Sequence, residues 1–330
     1  MDMMRASRMV DVGRMVCEEI EIPPLGENQV MVKSEMASIC GSDLHMVMMG
    51  AGLAHPMPCP HGYPGHEGIG QIVESNVVGL DVGINVLTFP NPPVGECFNE
   101  FQRVGATYCT PLPASELPNS HLLMGQQLGT VVFARRKCPR DVTGETVVVV
   151  GQGSAGLFWT YLLKRAGAAR VIVADLSDTR LAVGKQYGAD ICVNASTGDL
   201  REVVLDLTGG MGADYVVEAV GRSETFLSSV DLVRPEGELM WFGLPSVDGA
   251  IDMRFDRFFR KRLKASSIFG AQDETDAVSF REALDIIASG QIDVAPLLSH
   301  VYGVEQIGDA MNMAHEPHDA GALKVSVSFP

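Results

Sequence analysis

The sequence is short of positive charge. Lys and Arg number 25 against 41 Asp and Glu in 330 residues, a formal net charge of −16. That balance argues against a nucleic-acid partner and against docking on an anionic membrane. Long apolar runs are absent too, and none approaches the roughly 20 residues needed to span a bilayer. The opening MDMMRASRMV carries charge where a secretory signal needs an apolar core. Cysteine is sparse: seven scattered residues, an odd set in a long chain, do not form a disulfide framework. These features predict a cytoplasmic protein. There is no internal repeat or low-complexity tract. The one basic run, Arg257–Lys264, reads as a solvated helix face on an acidic chain. What is present is globular, at 46% hydrophobic and 20% charged, and long enough for about two domains with cores of their own.

The most informative stretch is Thr146–Arg180. An apolar run, Val147–Val150, enters the loop Gly151-Gln152-Gly153-Ser154-Ala155-Gly156. A helix-period segment follows to Lys164–Arg165 and is ended by Gly167; a second apolar run, Val171–Ala174, stops at Asp175. This is the strand–loop–helix–strand layout of a dinucleotide-binding unit. Gly151 permits the turn off the strand, Gly153 lets the backbone approach a pyrophosphate, and Gly156 lets the helix pack on the sheet. The helix start, with Ser154 and Ala155, offers unpaired N–H groups to the phosphates. Asp175 lies nineteen positions after Gly156, close to the spacing of a ribose-binding acid. Its carboxylate would accept from a 2′-hydroxyl and repel a 2′-phosphate, which favours NAD over NADP. Arg180 either lies along the adenosine ribose or is a solvated arginine at a helix start.

Downstream, helices are expected at Asp178–Tyr187, Leu200–Leu207 and Glu224–Val233, with strands at Ile191–Val193, Asp214–Ala219, Gly237–Phe242 and Ala265–Phe269. With the two earlier strands this makes six, the number of a complete doubly wound parallel sheet, whose ligand lies beyond the carboxyl ends of the strands. Val220-Gly221, Gly243-Leu244 and Phe269-Gly270 are therefore expected beside the cofactor. The tail reads as helices at Ala277–Ser289 and Val304–Ala314 and a strand at Ala322–Phe329.

Before residue 146 the chain is rich in short extended pieces with Gly and Pro turns, which suggests an irregular β-rich domain. A strand over Gln29–Met36 delivers Cys40-Gly41-Ser42-Asp43-Leu44-His45, and a methionine-rich loop is expected over Met46–Pro60. Gly65-His66-Glu67-Gly68 then leads into a strand at Ile69–Val73. Thiolate, imidazole and carboxylate are the ligand types zinc prefers. Singly, Cys40 reads as a small buried hydrophobe, His66 as a core histidine and Glu67 as a surface acid.

Taken together, C-G-S-D-x-H, the following G-H-E and the downstream G-x-G-x-x-G resemble the zinc-dependent medium-chain alcohol and polyol dehydrogenases, over nearly the whole chain. The resemblance implies a GroES-like catalytic domain (1–124 and 271–330) interrupted by a Rossmann NAD-binding domain (125–270). It implies Cys40 and His66 as catalytic-zinc ligands and Glu67 as an acid that binds the metal or exchanges with water. Asp43 would orient His66, and Ser42 and His45 would relay the substrate proton to solvent. Lys324 matches a basic position that reaches the cofactor pyrophosphate, although a strand lysine is as readily a solvated one. The activity implied is reversible oxidation of a primary or secondary alcohol, with hydride passing to NAD, by a homodimer or homotetramer.

Two departures from the family pattern stand out. The lobe that usually carries four structural-zinc cysteines is shortened here to Phe89–Pro113, with only Cys97 and Cys109, too few to close such a site. One zinc per chain, with no structural zinc, is the expectation. At the remaining catalytic-ligand position the alignment places Gln126, either as a weak neutral ligand or as a pocket hydrogen-bonder. Two other readings stay open: a zinc-free NAD(P)H-dependent quinone or enone reductase of the same superfamily, and a catalytically inactive NAD-binding protein.

Overall fold

The computed structural model describes residues 2–246, 249–315 and 321–330. Its contacts divide the chain into two units, Met1–Phe133 with Gly270–Pro330, and Ala134–Phe269. No helix among the described residues is long and apolar enough to cross a membrane.

The first unit opens with a hairpin of β1 (Met3–Asp11) and β2 (Arg14–Glu21). Then come β3 (Gln29–Ser38), α1 (Gly41–Met49), β4 (Gly68–Ser75), β5 (Asn85–Thr88), β6 (Phe101–Gly105) and β7 (Cys109–Pro111), followed by α2 (Asn119–Leu122) and α3 (Gly125–Lys137). Strand β3 is the hub and pairs antiparallel with both β4 and β6. Helix α1 runs into the stretch expected to be loop. Asp43 secures its start by accepting from the Cys40 N–H at 2.8 Å, and Gly50, at φ 69°, ends it.

The second unit holds β8 (Thr146–Val150), α4 (Ser154–Arg165), β9 (Arg170–Asp175), α5 (Asp178–Gln186), β10 (Ile191–Asn194), α6 (Leu200–Leu207), β11 (Ala213–Glu218), α7 (Ser223–Leu232), β12 (Val233–Trp241), α8 (Phe255–Arg260) and β13 (Lys264–Ser267). All six strands are parallel, in the order β10-β9-β8-β11-β12-β13. The expected doubly wound sheet is thus present. Its central strands are apolar without alternation because helices cover both faces, and Val148, Ile172, Val216 and Leu239 meet in one buried cluster.

The chain then returns to the first unit with α9 (Val278–Ala288), β14 (Leu298–Gly303), α10 (Ile307–His315) and β15 (Lys324–Ser328). Strand β15 lies antiparallel to β3, with Ser326 opposite Ser38, and β14 lies parallel outside it. The completed sheet runs β14-β15-β3-β4-β5-β7, with β6 also on β3. Met9, Ile39, Met46, Tyr63, Phe98, Met311 and Val325 share the core beneath. This return brings Lys324, from the far end of the sequence, beside the end of β3.

Candidate active site

Antiparallel pairing of β3 with β4 sets Ala37 opposite Gly68, and the Ser38 N–H donates to the Glu67 carbonyl at 3.0 Å. Residues just beyond β3 and just before β4 therefore gather at one end of the sheet. Cys40, His66 and Glu67 are those residues, and one ligand atom from each lies within 4.8 Å of the others. His66 is 3% and Glu67 1% exposed.

Asp43, fully buried on α1, holds two of the three. One carboxylate oxygen takes the Cys40 N–H, and the other lies 3.0 Å from His66 Nδ1. The Pro64 carbonyl also lies 3.1 Å from that nitrogen, so Nδ1 carries a proton and Nε2 is left to face the cluster. Burial opposes charging of His66, but the charge and contact of Asp43, with Cys40 adding, outweigh it and hold its pKa well above the usual histidine range. A metal at this site must displace a well-held proton. Ser42 Oγ lies 3.1 Å from His66 Nε2. His45 is half-buried and follows Ser42 by three positions on α1, the spacing that puts two side chains on one helix face.

Glu67 is held from the opposite side. Its Oε2 accepts from Ser38 Oγ and pairs with Lys324 Nζ at 2.5 Å, both side chains almost wholly buried. Burial pushes the carboxyl pKa up, but the Lys324 ammonium and His66 pull it below the ordinary value. Burial likewise works against the Lys324 cation, and Glu67 overcomes it to raise that pKa. The sequence reading left Lys324 either on a cofactor pyrophosphate or solvated; the structure buries it against Glu67, because β15 pairs with β3.

The donors fit a zinc ion. They comprise a sulfur, an imidazole with its Nδ1 already engaged, and a carboxylate whose Oε1 is buried without a hydrogen-bond partner. Three protein ligands leave a position open, as catalytic zinc sites require. Two consecutive glutamines lie in the first turn of α3. Gln127 Oε1 approaches Cys40 Sγ at 3.8 Å, while Gln126 is buried with its Oε1 unpartnered. Nothing in the sequence marked Gln127 except its adjacency. Cys97 and Cys109 are both buried, and desolvation pushes each thiol up to about 12. Cys97 donates to Gln102 Oε1 at 3.2 Å.

The second unit presents the glycine loop as anticipated. Gly151 sits at φ 92°, and a methyl group at Gly156 would lie 1.9 Å from the Gly151 carbonyl, so α4 packs on β8 only with glycine there. A methyl at Gly153 would meet nothing within 4 Å, which leaves that face of the loop open. Ser154 and Ala155 begin α4 and are half-buried. Asp175 closes β9, accepting from the Gln152 N–H at 2.6 Å and the Ser177 N–H at 3.0 Å. A carboxylate with those two bonds still has lone pairs for a ribose hydroxyl. Arg180 stands half-buried in the first turn of α5.

Beyond the other strands, Val220 and Gly221 pack on Gly243 and Leu244: a methyl at Gly221 would lie 2.0 Å from the Leu244 carbonyl. Leu244 and Phe269 are 38% and 84% exposed. Gly270 opens the return segment at φ 78°. The sequence reading passed over Glu218, which anchors these loops. Its Oε1 accepts from the Val220 and Gly221 N–H groups at 2.9 Å and from Thr225 Oγ1 at 2.7 Å. Burial raises its pKa despite those bonds. The available signal was an acid closing an apolar run, Tyr215-Val216-Val217-Glu218.

The chain has known relatives over nearly its whole length. Residues 26–220 match the alcohol dehydrogenase GroES-like domain family and residues 155–289 the zinc-binding dehydrogenase family. An alcohol dehydrogenase of Cupriavidus necator is 27% identical over 371 aligned positions, covering 98% of each chain. An L-threonine 3-dehydrogenase of Bacillus subtilis is 28% identical over 317 positions, 88% of this chain and 89% of the relative. Among solved structures, L-idonate 5-dehydrogenase from Escherichia coli superposes with a TM-score of 0.83 at 22% identity, covering 99% of both chains. With an alcohol dehydrogenase family match over more than half its length, the chain belongs to the zinc-dependent medium-chain dehydrogenases and is an oxidoreductase of the alcohol dehydrogenase type.

Proposed function

We propose that this enzyme takes NAD rather than NADP, holds a single catalytic zinc on Cys40, His66 and Glu67, and interconverts a secondary alcohol, polyol or sugar-like substrate with its carbonyl form. The observation that carries the reading is the set of three donor atoms within 4.8 Å, with Asp43 engaging both Cys40 and His66. When bound, zinc supplies Lewis acidity toward the substrate oxygen and the nicotinamide supplies a hydride acceptor. The chain's own residues do the rest. Asp43 fixes the His66 ring and the start of α1. Lys324 and Ser38 fix one oxygen of Glu67 and leave the other toward the cluster. Ser42 Oγ takes the substrate hydroxyl proton, and His45 is the outward acceptor. The buried, protonated thiols of Cys97 and Cys109 support one zinc rather than two. The place of β13 at the edge of the six-stranded sheet among the described residues supports assembly as a homodimer or homotetramer.

Metal analysis of gently purified protein should find about one zinc per chain, with alcohol-dependent formation of NADH. No zinc after incubation with excess metal, together with reduction of a quinone or enone, would instead select the reductase reading.

For cofactor choice, Asp175→Ser should weaken NAD binding by about 10- to 100-fold, the value of a hydrogen bond to a charged group. NADP should lose little or gain, so the ratio of the two affinities reports the acid directly. An unchanged ratio, with both nucleotides weakened alike, would mean that Asp175 only braces the loop through Gln152.

A further inference from the structure

Glu218 carries an inference that rests on the nicotinamide-cofactor reading and is independent of the zinc. It closes β11. From the step between β8 and β11 the strands build outward in opposite directions, which makes that step the switch point where a dinucleotide lies. Asp175, at the end of β9, belongs to the adenosine side of the step, so the nicotinamide half falls to the side of β11 and β12.

Glu218 is fully buried there and ties two loops together. Its Oε1 takes the Val220 and Gly221 N–H groups, and its carbonyl takes those of Phe242 and Gly243 at 2.9 Å. Its Oε2 lies under the second loop, where a methyl at Gly243 would stand 2.7 Å from it. That oxygen has no hydrogen-bond partner, so a proton placed on it would be a buried donor without an acceptor. Two N–H donors on the other oxygen suit the ionised form. Among the described residues no cation pairs with it.

We propose that Glu218, an unpaired buried carboxylate beneath Gly243, selects the redox state of the cofactor by favouring NAD+ over NADH. The nicotinamide ring is cationic when oxidised and neutral when reduced, so a fixed anion nearby acts on one form only. Burial keeps salt from screening it. The bias favours capture of NAD+ and eases release of NADH, which suits alcohol oxidation.

The test is the ratio of NAD+ to NADH affinity on the full chain at neutral pH, by calorimetry for the oxidised form and fluorescence for the reduced one. Glu218→Gln is nearly isosteric and neutral. It should weaken NAD+ relative to NADH by about tenfold, the effect of a unit charge across roughly 10 Å at an effective dielectric of about 20. Glu218→Asp keeps the charge on a shorter arm. Both affinities should then fall as the loops loosen, with the ratio within about threefold of the parent's. An unchanged ratio in Glu218→Gln, even with both affinities lowered, would reduce Glu218 to a loop brace and overturn the proposal. A shift of about tenfold in Glu218→Asp would overturn it equally, whether or not the glutamine variant folds. If the parent binds no nicotinamide dinucleotide in either form, the cofactor reading falls and takes the proposal with it.

Discussion

Cys40→Ser is expected to lower kcat/KM for alcohol oxidation by about a thousandfold or more, the loss of several kcal/mol of transition-state stabilisation. A serine hydroxyl stays protonated at neutral pH and is a far weaker zinc donor than a thiolate. The damage should remain local. The Cys40 N–H still reaches Asp43, so the start of α1 survives, and His66 and Glu67 keep their partners. The dinucleotide loop is built within the other unit, from Asp175 holding Gln152, and from glycines that pack α4 on β8. NADH affinity, measured by fluorescence titration, should therefore stay within about twofold, as for independent sites. A fall of orders of magnitude in that affinity would break the separation of the metal and nucleotide roles. Persistent turnover would remove Cys40 from the site.

The nucleotide-binding half was readable from the sequence because each signal there is local. A parallel strand buried on both faces is a continuous apolar run, and the turns after β8, α4 and α5 carry Gly151, Gly167 and Gly188 at positive φ. Helix α6 was expected at Leu200–Leu207 and lies there. Three features were harder. Helix α1 lacks a strong N-cap residue, and its reciprocal bond comes from Asp43, which also reads as a ligand-orienting acid. Helix α3 begins Gly125-Gln126-Gln127-Leu128-Gly129, with two glycines that argue against a helix. A methyl at Gly125 would lie 2.8 Å from Leu284 Cδ2, and one at Gly129 would lie 2.4 Å from Phe280, so the glycines are there for the close approach of α9. Strand β14 is short and lies on an edge, and its pairing with β15 is a tertiary fact. The same limit explains Lys324 and Gln127. Local pattern places a residue on an element, whereas the partner is set by which strand or helix lies opposite. Cys40, His66 and Glu67 were legible only through the resemblance that C-G-S-D-x-H and G-H-E carry, and the pairing of β3 with β4 is what brings them together in space.

Lys324→Met tests the least expected of those pairings and should destabilise the metal-free protein by about 3–5 kcal/mol, the effect of stranding one charge of a buried pair. The Lys324 and Glu67 side chains are 2% and 1% exposed, so water does little to screen the loss. Adding Glu67→Gln to Lys324→Met should recover much of the stability, because no buried charge then remains. The pH dependence gives the effect a signature. In the parent, the Glu67 pKa is depressed, so its contribution is present above the unfolded-state pKa and is lost as pH falls through the folded-state value. Without the Lys324 cation, burial dominates and the Glu67 pKa rises above its unfolded value. The variant then gains stability relative to the parent on acidification, as the folded state takes up the proton. The gap between the two proteins, measured by urea denaturation with chelator present, should narrow from pH 7 toward pH 5. Had Lys324 served a pyrophosphate alone, the variant would bind NAD more weakly yet unfold at the parent's urea midpoint at both pH values. A deficit under about 1 kcal/mol, the size of an exposed ion pair, or one that does not change with pH, would remove the buried pair from the account of how Glu67 is held.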